Sequence, residues 1–344
     1  MPEPDAKKQL AQAVEEGLSE FAPLYTQPGI AGREFFYDES GELFEALARA
    51  TPHLPEGLQA RVKRRLADEW KSRAPFTKEA GYALDQGTRR ELFAVPPEVL
   101  KRGGHEKPHH RFGGTYAAWL YAETLGEGDR LKEAWPALKA AFEEFEKSGR
   151  KLDPAKGNLF ANRYLGSLLS FAAIATKHGD QEAAAKASVA ADETLDALVE
   201  WWKRAADASE LRVYKNITEW DEFIVKGEEG LFWKVIPHNH KLALFYDLTP
   251  EVAALVKKRA PEAVAKLWKR FEELCATWWL VGEEHQVHFG ENFVDPPDFA
   301  RNAFKAYAWL AEARADSLRR RVDLPFCRAD LYHVLKLAIA CGAR

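Results

Sequence analysis

Between Gly113 and Arg204 apolar residues recur every three to four positions in four successive runs, and the runs are separated by matching punctuation. Thr115 to Leu125 and Leu131 to Lys147 meet at Gly126-Glu127-Gly128-Asp129, while Leu159 to Lys177 and Gln181 to Ala206 meet at His178-Gly179-Asp180. Glycine just past a helix end accepts the left-handed conformation, and a following aspartate can accept from the free N–H groups of the next helix. Each junction therefore writes a stop beside a start, which predicts two helical hairpins of the kind that stack on one another. Leu131, Ala134, Trp135, Leu138, Phe142 and Phe145 keep a single apolar face, whereas Leu165 to Ala175 is apolar nearly all round apart from its serines. Its partner, Gln181 to Ala206, is charged throughout. Inner apolar helices backed by outer amphipathic ones predict an all-α fold, with hairpins stacked as an incomplete α/α toroid.

The remaining helices follow the same rhythm. One runs from Asp5 to Phe21 with Leu10, Val14, Leu18 and Phe21 on one face, and a short one capped by Ser40 carries Leu43, Phe44, Leu47 and Ala48. Glu56 to Ser72 buries Leu58, Val62, Leu66 and Trp70, which leaves its basic residues Arg61, Lys63, Arg64 and Arg65 as a solvated face. Further starts fall at Thr249-Pro250, where threonine caps and proline fits the first turn, and after Pro261, with apolar-striped helices at Phe299 to Ala315 and Ala329 to Ala340. Long irregular segments lie at Ala74 to Phe112, Ser209 to Asn239 and Val281 to Asp298, and segments of that length inside a domain usually carry function. The expected organisation is residues 1–111, N-terminal helices with a lid-like irregular segment, packed on a toroid of residues 112–344 as one continuous body.

Composition narrows the function. With 46% hydrophobic and 30% charged residues the chain can bury a large core, and a net charge of -4 with interspersed signs gives no field to draw in nucleic acid. No run approaches the roughly 18 consecutive apolar residues of a membrane span, and the charged Met1 to Lys8 does not begin a signal peptide. The chain as written is expected in the cytoplasm, and outside the cell if a leader has been removed. Cys275, Cys327 and Cys341 lack the spacing of a zinc knuckle or redox pair and read as buried thiols.

Seven of the ten histidines fall in the irregular segments, as His105/His109/His110, His238/His240 and His285/His288. Brought to one rim, histidines and carboxylates could act as general acid and base, although loop histidines can equally be exposed or cap helix ends. His238 and His240 stand near Phe232, Trp233, Phe245 and Tyr246. Such a pair could hold zinc with a third ligand from Glu284, His285 or His288, but no zinc-enzyme signature accompanies it, so no cofactor is expected. In Asn158-Leu159-Phe160-Ala161-Asn162-Arg163-Tyr164, Asn162 and Arg163 at a helix N-terminus could bind a carboxylate; equally, Asn158 could cap and Arg163 pair with a structural acid. Trp119, Trp135, Trp268 and Trp309 lie in core stripes, while Trp220, Trp233, Trp278 and Trp279 lie near loops and could stack on sugar rings.

On this hairpin rhythm Phe112 to Cys341 resembles the α/α-toroid, six-hairpin-like superfamily of glycan-active enzymes, with no residue motif matched. The resemblance implies a glycan partner in a cleft on one rim. It implies catalytic roles for His240, His238, Glu284 and Tyr246, and sugar binding by Asn162, Arg163, Trp220, Trp233, His109, His110, His285 and His288. In a polysaccharide lyase, Asn162 and Arg163 would neutralise a uronate carboxylate while His240 or Tyr246 removes the adjacent proton. In a glycoside hydrolase, Asp221 or Glu222 and Glu284 would flank the bond. The alternative is a non-catalytic helical scaffold that binds a glycan or a protein. A terpene cyclase is disfavoured, since no aspartate-rich motif is present.

Overall fold

Gly126 and Gly179 adopt left-handed backbone, at φ 72° and 74°, and close the two hairpins where the punctuation predicts. A computed structural model describes residues 3–18, 40–77, 110–148, 160–207, 247–274, 305, 308–310 and 331–343. Among these residues there is no strand. The helices are α1 (Glu3–Gly17), α2 (Ser40–Ala50), α3 (Glu56–Arg73), α4 (Thr115–Leu125), α5 (Gly128–Lys147), α6 (Ala161–Lys177), α7 (Gln181–Asp207), α8 (Pro250–Arg259), α9 (Pro261–Leu274) and α10 (Leu331–Ala340). Single 3-10 turns at Thr51–His53 and Arg111–Gly114 follow α2 and precede α4.

The caps are partly as expected. Asp180 Oδ1 accepts from the Ala183 N–H at 3.1 Å, and Thr249 Oγ1 accepts from Val252 at 3.3 Å with Pro250 in the first turn. A cap of this kind is worth about 1 kcal/mol. Asp129 does not cap: α5 begins at Gly128, which places the aspartate inside the first turn, where its charge meets the positive helix end instead. α6 is buried on several sides, through Tyr164, Leu165, Leu168, Phe171 and Ile174 and also Asn162, Ser167 and Ser170. α7 packs along it and exposes most of its charges.

Two apolar clusters share the described core. One joins α5, α6, α7, α8 and α9, with Phe112, Phe142 and Phe171 in mutual ring contact. The other joins α1, α2, α3 and α10. α4 lies between them, giving Ala118 and Ala122 to the first and Tyr116, Ala117, Leu120, Tyr121 and Leu125 to the second. Neighbouring helices run in the order α10, α2, α4, α6, and α8 touches α6. The last helix thus packs on the first two, and α2 sits between α4 and α10. Trp119, Trp135, Trp268 and Trp309 pack against the core as expected, the basic face of α3 is largely solvated, and Cys341 is buried as a thiol outside any disulfide. Cys275, Cys327, Trp278 and Trp279 lie outside the described residues.

Candidate functional site

Helix starts converge on one cavity of about 50 Å³. Gly41, Glu42, Glu45 and Ala46 reach it from the beginning of α2, and Gly113, Gly114, Tyr116 and Ala117 from the beginning of α4. Arg163 comes from the first turn of α6, Asp247 and Thr249 from just before α8, and Leu331 and Leu335 from α10. Lys305 completes the wall. The close approach at Gly114 is built in, because a Cβ there would fall 1.9 Å from the Pro75 carbonyl oxygen. Ser167 on α6 fixes the start of α4 by donating to the Gly113 carbonyl at 3.0 Å and accepting from the Tyr116 N–H at 3.4 Å.

The wall is unusually charged for a helical interior. Arg163 and Asp247 form a pair in which Nε and Nη2 both reach Oδ2 at 2.8 Å. Asp247 holds this position at φ 50°, a left-handed conformation that aspartate tolerates better than most non-glycine residues. Lys305, 3% exposed, donates to Glu45 Oε2 at 2.6 Å. Behind them Arg49, also 3% exposed, has its Nε 3.6 Å from Glu45 Oε1 and its guanidinium 5.3 Å from the Trp309 ring centre.

Tyr116 joins these groups. Arg49 Nη2 donates to the phenol oxygen at 2.6 Å, and the phenol donates to Glu251 Oε2 at 3.0 Å. Burial pushes the Tyr116 phenol well above its ordinary pKa, with Arg49 opposing and Glu251 and Glu45 adding to the rise. Burial works against the Arg49 charge, but Tyr116, Glu45 and Glu251 together raise its pKa above the ordinary value. The phenol is thus kept protonated beside a guanidinium that would stabilise its conjugate base. Arg49 Nη1 is buried and has no hydrogen-bond acceptor among the described residues.

Three of the site residues expected from sequence are described. Arg163 lines the cavity, paired with an acid as its plainer reading held, and Asn162 beside it is fully buried. His110 is 5% exposed and away from the cavity lining: its Nδ1 accepts from the Phe112 N–H at 3.2 Å, its own N–H donates to the Tyr164 hydroxyl at 3.1 Å, and its ring packs edge-on against Phe145. That geometry caps the turn before α4. His238, His240, Glu284, Tyr246, Trp220, Trp233, His109, His285 and His288 lie outside the described residues, and among the described residues no cluster of metal-ligating side chains occurs. No helix among the described residues is long and apolar enough to cross a membrane.

Arg49, Glu45, Tyr116, Asp247, Glu251 and Lys305 were not singled out by the sequence pattern. A signal existed: α2 is buried almost all round, so Glu45 and Arg49, four residues apart on it, could not both escape to solvent. Comparison of the chain with protein-family models, with curated proteins and with solved structures found no match in any of the three.

Proposed function

We propose that the chain is a carbohydrate-active enzyme, lyase- or hydrolase-type, built as an α/α toroid with its catalytic cleft where the helix N-termini meet. The toroid reading draws support from the neighbour order α10, α2, α4, α6, α8, from the contact between the last helix and the first two, and from the shared end at which these helices begin. In that reading α5, α7 and α9 belong to the outer ring. The single observation that carries the enzymatic reading is Tyr116, a cavity-lining phenol held between Arg49 and Glu251.

Breaking a glycosidic bond by either route requires a proton for the leaving oxygen. Tyr116 is the proposed donor: its proton turns from Glu251 to the substrate oxygen, which takes it as the C–O bond breaks, and Arg49 stabilises the phenolate that remains. Glu45 and Asp247 are the carboxylates available to flank the bond. His238, His240, Tyr246 and Glu284 belong to the same proposal as further catalytic groups, Tyr246 being the chain neighbour of Asp247. Trp220, Trp233, His109, His285 and His288 remain proposed sugar contacts, and no cofactor is needed for either route.

A panel of poly- and oligosaccharides tests this. Products absorbing in the ultraviolet identify elimination, and new reducing ends without that absorbance identify hydrolysis. Tyr116→Phe should lower the activity by about 10²–10⁴ while the helical signal persists; full activity in that variant rejects the proposed site. The competing reading, a non-catalytic scaffold, is favoured by one feature, the internal pairing of Arg163 with Asp247 and of Lys305 with Glu45. A scaffold would show binding without turnover of any bound glycan.

A further inference from the structure

We infer that Glu251 is a proton relay for the site: it takes a proton from solvent outside the cavity and passes it to the Tyr116 phenolate, which recharges the donor without opening the cavity; the inference rests on Tyr116 as the proton donor proposed above. The phenol oxygen has two hydrogen-bonded partners, and they differ in what they can do. Arg49 Nη2 reaches it at 2.6 Å, and a guanidinium only donates and does not give up its proton. Glu251 Oε2 lies at 3.0 Å and accepts, so the phenolic proton points along this bond in the resting protein. Arg49 and Tyr116 are 3% and 6% exposed, while Glu251 is only half-buried. Tyr116 lines the cavity and Glu251 does not, so Glu251 meets water by a route outside the cavity lining. Its place is set by α8: Thr249 Oγ1 caps the helix, Val252 and Ala253 are buried, and Glu251 sits in the first turn, where the positive helix end favours an accepting carboxylate.

Once the phenolic proton has gone to the leaving oxygen, phenolate and carboxylate face each other at 3.0 Å with no proton between them, and Arg49 offsets only one of the two charges. Two such anions hold one proton in common more tightly than either would alone. Glu251 takes that proton from water and delivers it to the phenolate oxygen, which restores its own carboxylate. One proton thus enters from solvent for each proton given to a leaving oxygen. The transfer runs downhill, because a phenolate is a stronger base than a carboxylate and burial raises the proton affinity of this one further.

The phenolic proton reports the route directly, with no substrate needed. The full chain is labelled with carbon-13 at tyrosine Cζ and dissolved in an equal mixture of light and heavy water, where a slowly exchanging hydroxyl gives two Cζ lines and a fast one gives a single averaged line. Tyr116, assigned by the signal lost in Tyr116→Phe, is expected to give a single line although it is buried, while Tyr121, fully buried and without a carboxylate acceptor on its hydroxyl, should give two. Glu251→Gln keeps an acceptor for the phenol but cannot carry a proton, and should slow the Tyr116 exchange by at least about tenfold with amide exchange across α4 and α8 unchanged. Two Tyr116 lines in the wild-type chain, or equal exchange in wild type and Glu251→Gln, overturns the relay; the wild-type comparison of the two tyrosines decides even where the variant fails to fold. On whichever glycan the panel identifies, Glu251→Gln should slow the turnovers after the first by about 10²-fold relative to the first, and equal slowing of first and later turnovers contradicts the relay. Exchange through Glu251 in a chain that turns over no glycan keeps the relay and overturns the glycan reading instead.

Discussion

The charges on the outer helices and those around the cavity use the same residue types in opposite settings. Lys186 with Glu182 on α7 and Lys71 with Asp68 on α3 are neighbours along one helix, exposed and screened by water. Arg163 with Asp247 and Lys305 with Glu45 join residues far apart in the chain, and both pairs are largely buried. The first kind keeps a helix soluble and adds little else. The second kind costs desolvation that the ion pair only partly offsets, and apolar residues of similar volume would hold the helices at least as well. Under the proposed function, the buried charge at the meeting point of five helix starts serves binding rather than stability.

The largest effect should follow Glu45→Ala, which leaves Lys305 and Arg49 facing each other without their shared acid. A loss of about 3–5 kcal/mol is expected in urea unfolding. Replacing Glu45, Arg49 and Lys305 together by Leu, Met and Met should instead be near neutral or stabilising in the same assay; a collapse as large as that of Glu45→Ala would show that the network is there to hold the fold. Tyr116→Phe should cost about 1–3 kcal/mol, because Arg49 Nη2 loses its acceptor. Its activity on whichever glycan the panel identifies should fall by about 10²–10⁴.

A smaller effect separates the two settings by pH. The folded-state pKa of Tyr116 is raised above its unfolded value, so folding binds the phenolic proton more tightly than the unfolded chain does. The stability tied to it is fully present below about pH 10 and is lost as pH climbs toward the folded value. Unfolding midpoints measured from neutral to alkaline pH should accordingly drop more steeply for the wild-type chain than for Tyr116→Phe; parallel curves would place the phenol in water. The smallest change belongs to Lys186→Ala, whose melting temperature should match the wild type within error, since its partner Glu182 is exposed as well.

Local rules made the scaffold legible. The end of α4 follows from Gly126, and the caps of α7 and α8 from Asp180 and Thr249, because each signal acts within a few residues of where it is written. Asp129 shows the limit even there: the cap position falls at Glu127 instead, which turned an expected cap into a first-turn charge. The cavity was much less legible. Arg163 could be suspected from its place at a helix start, but Asp247 lies 84 residues away and Lys305 lies 260 residues from Glu45, and no pattern along the chain pairs such positions. Loop histidines drew attention because they cluster in sequence, whereas the groups around Tyr116 cluster only in space. His110 illustrates the difference, a histidine in the right segment whose ring caps a turn.

The most direct test is a crystal structure with a bound oligosaccharide. The account predicts one sugar ring within hydrogen-bond distance of the Arg163–Asp247 and Lys305–Glu45 pairs, with Tyr116 facing the glycosidic oxygen. A sugar bound elsewhere on the molecule, with this cavity left to water, would contradict it.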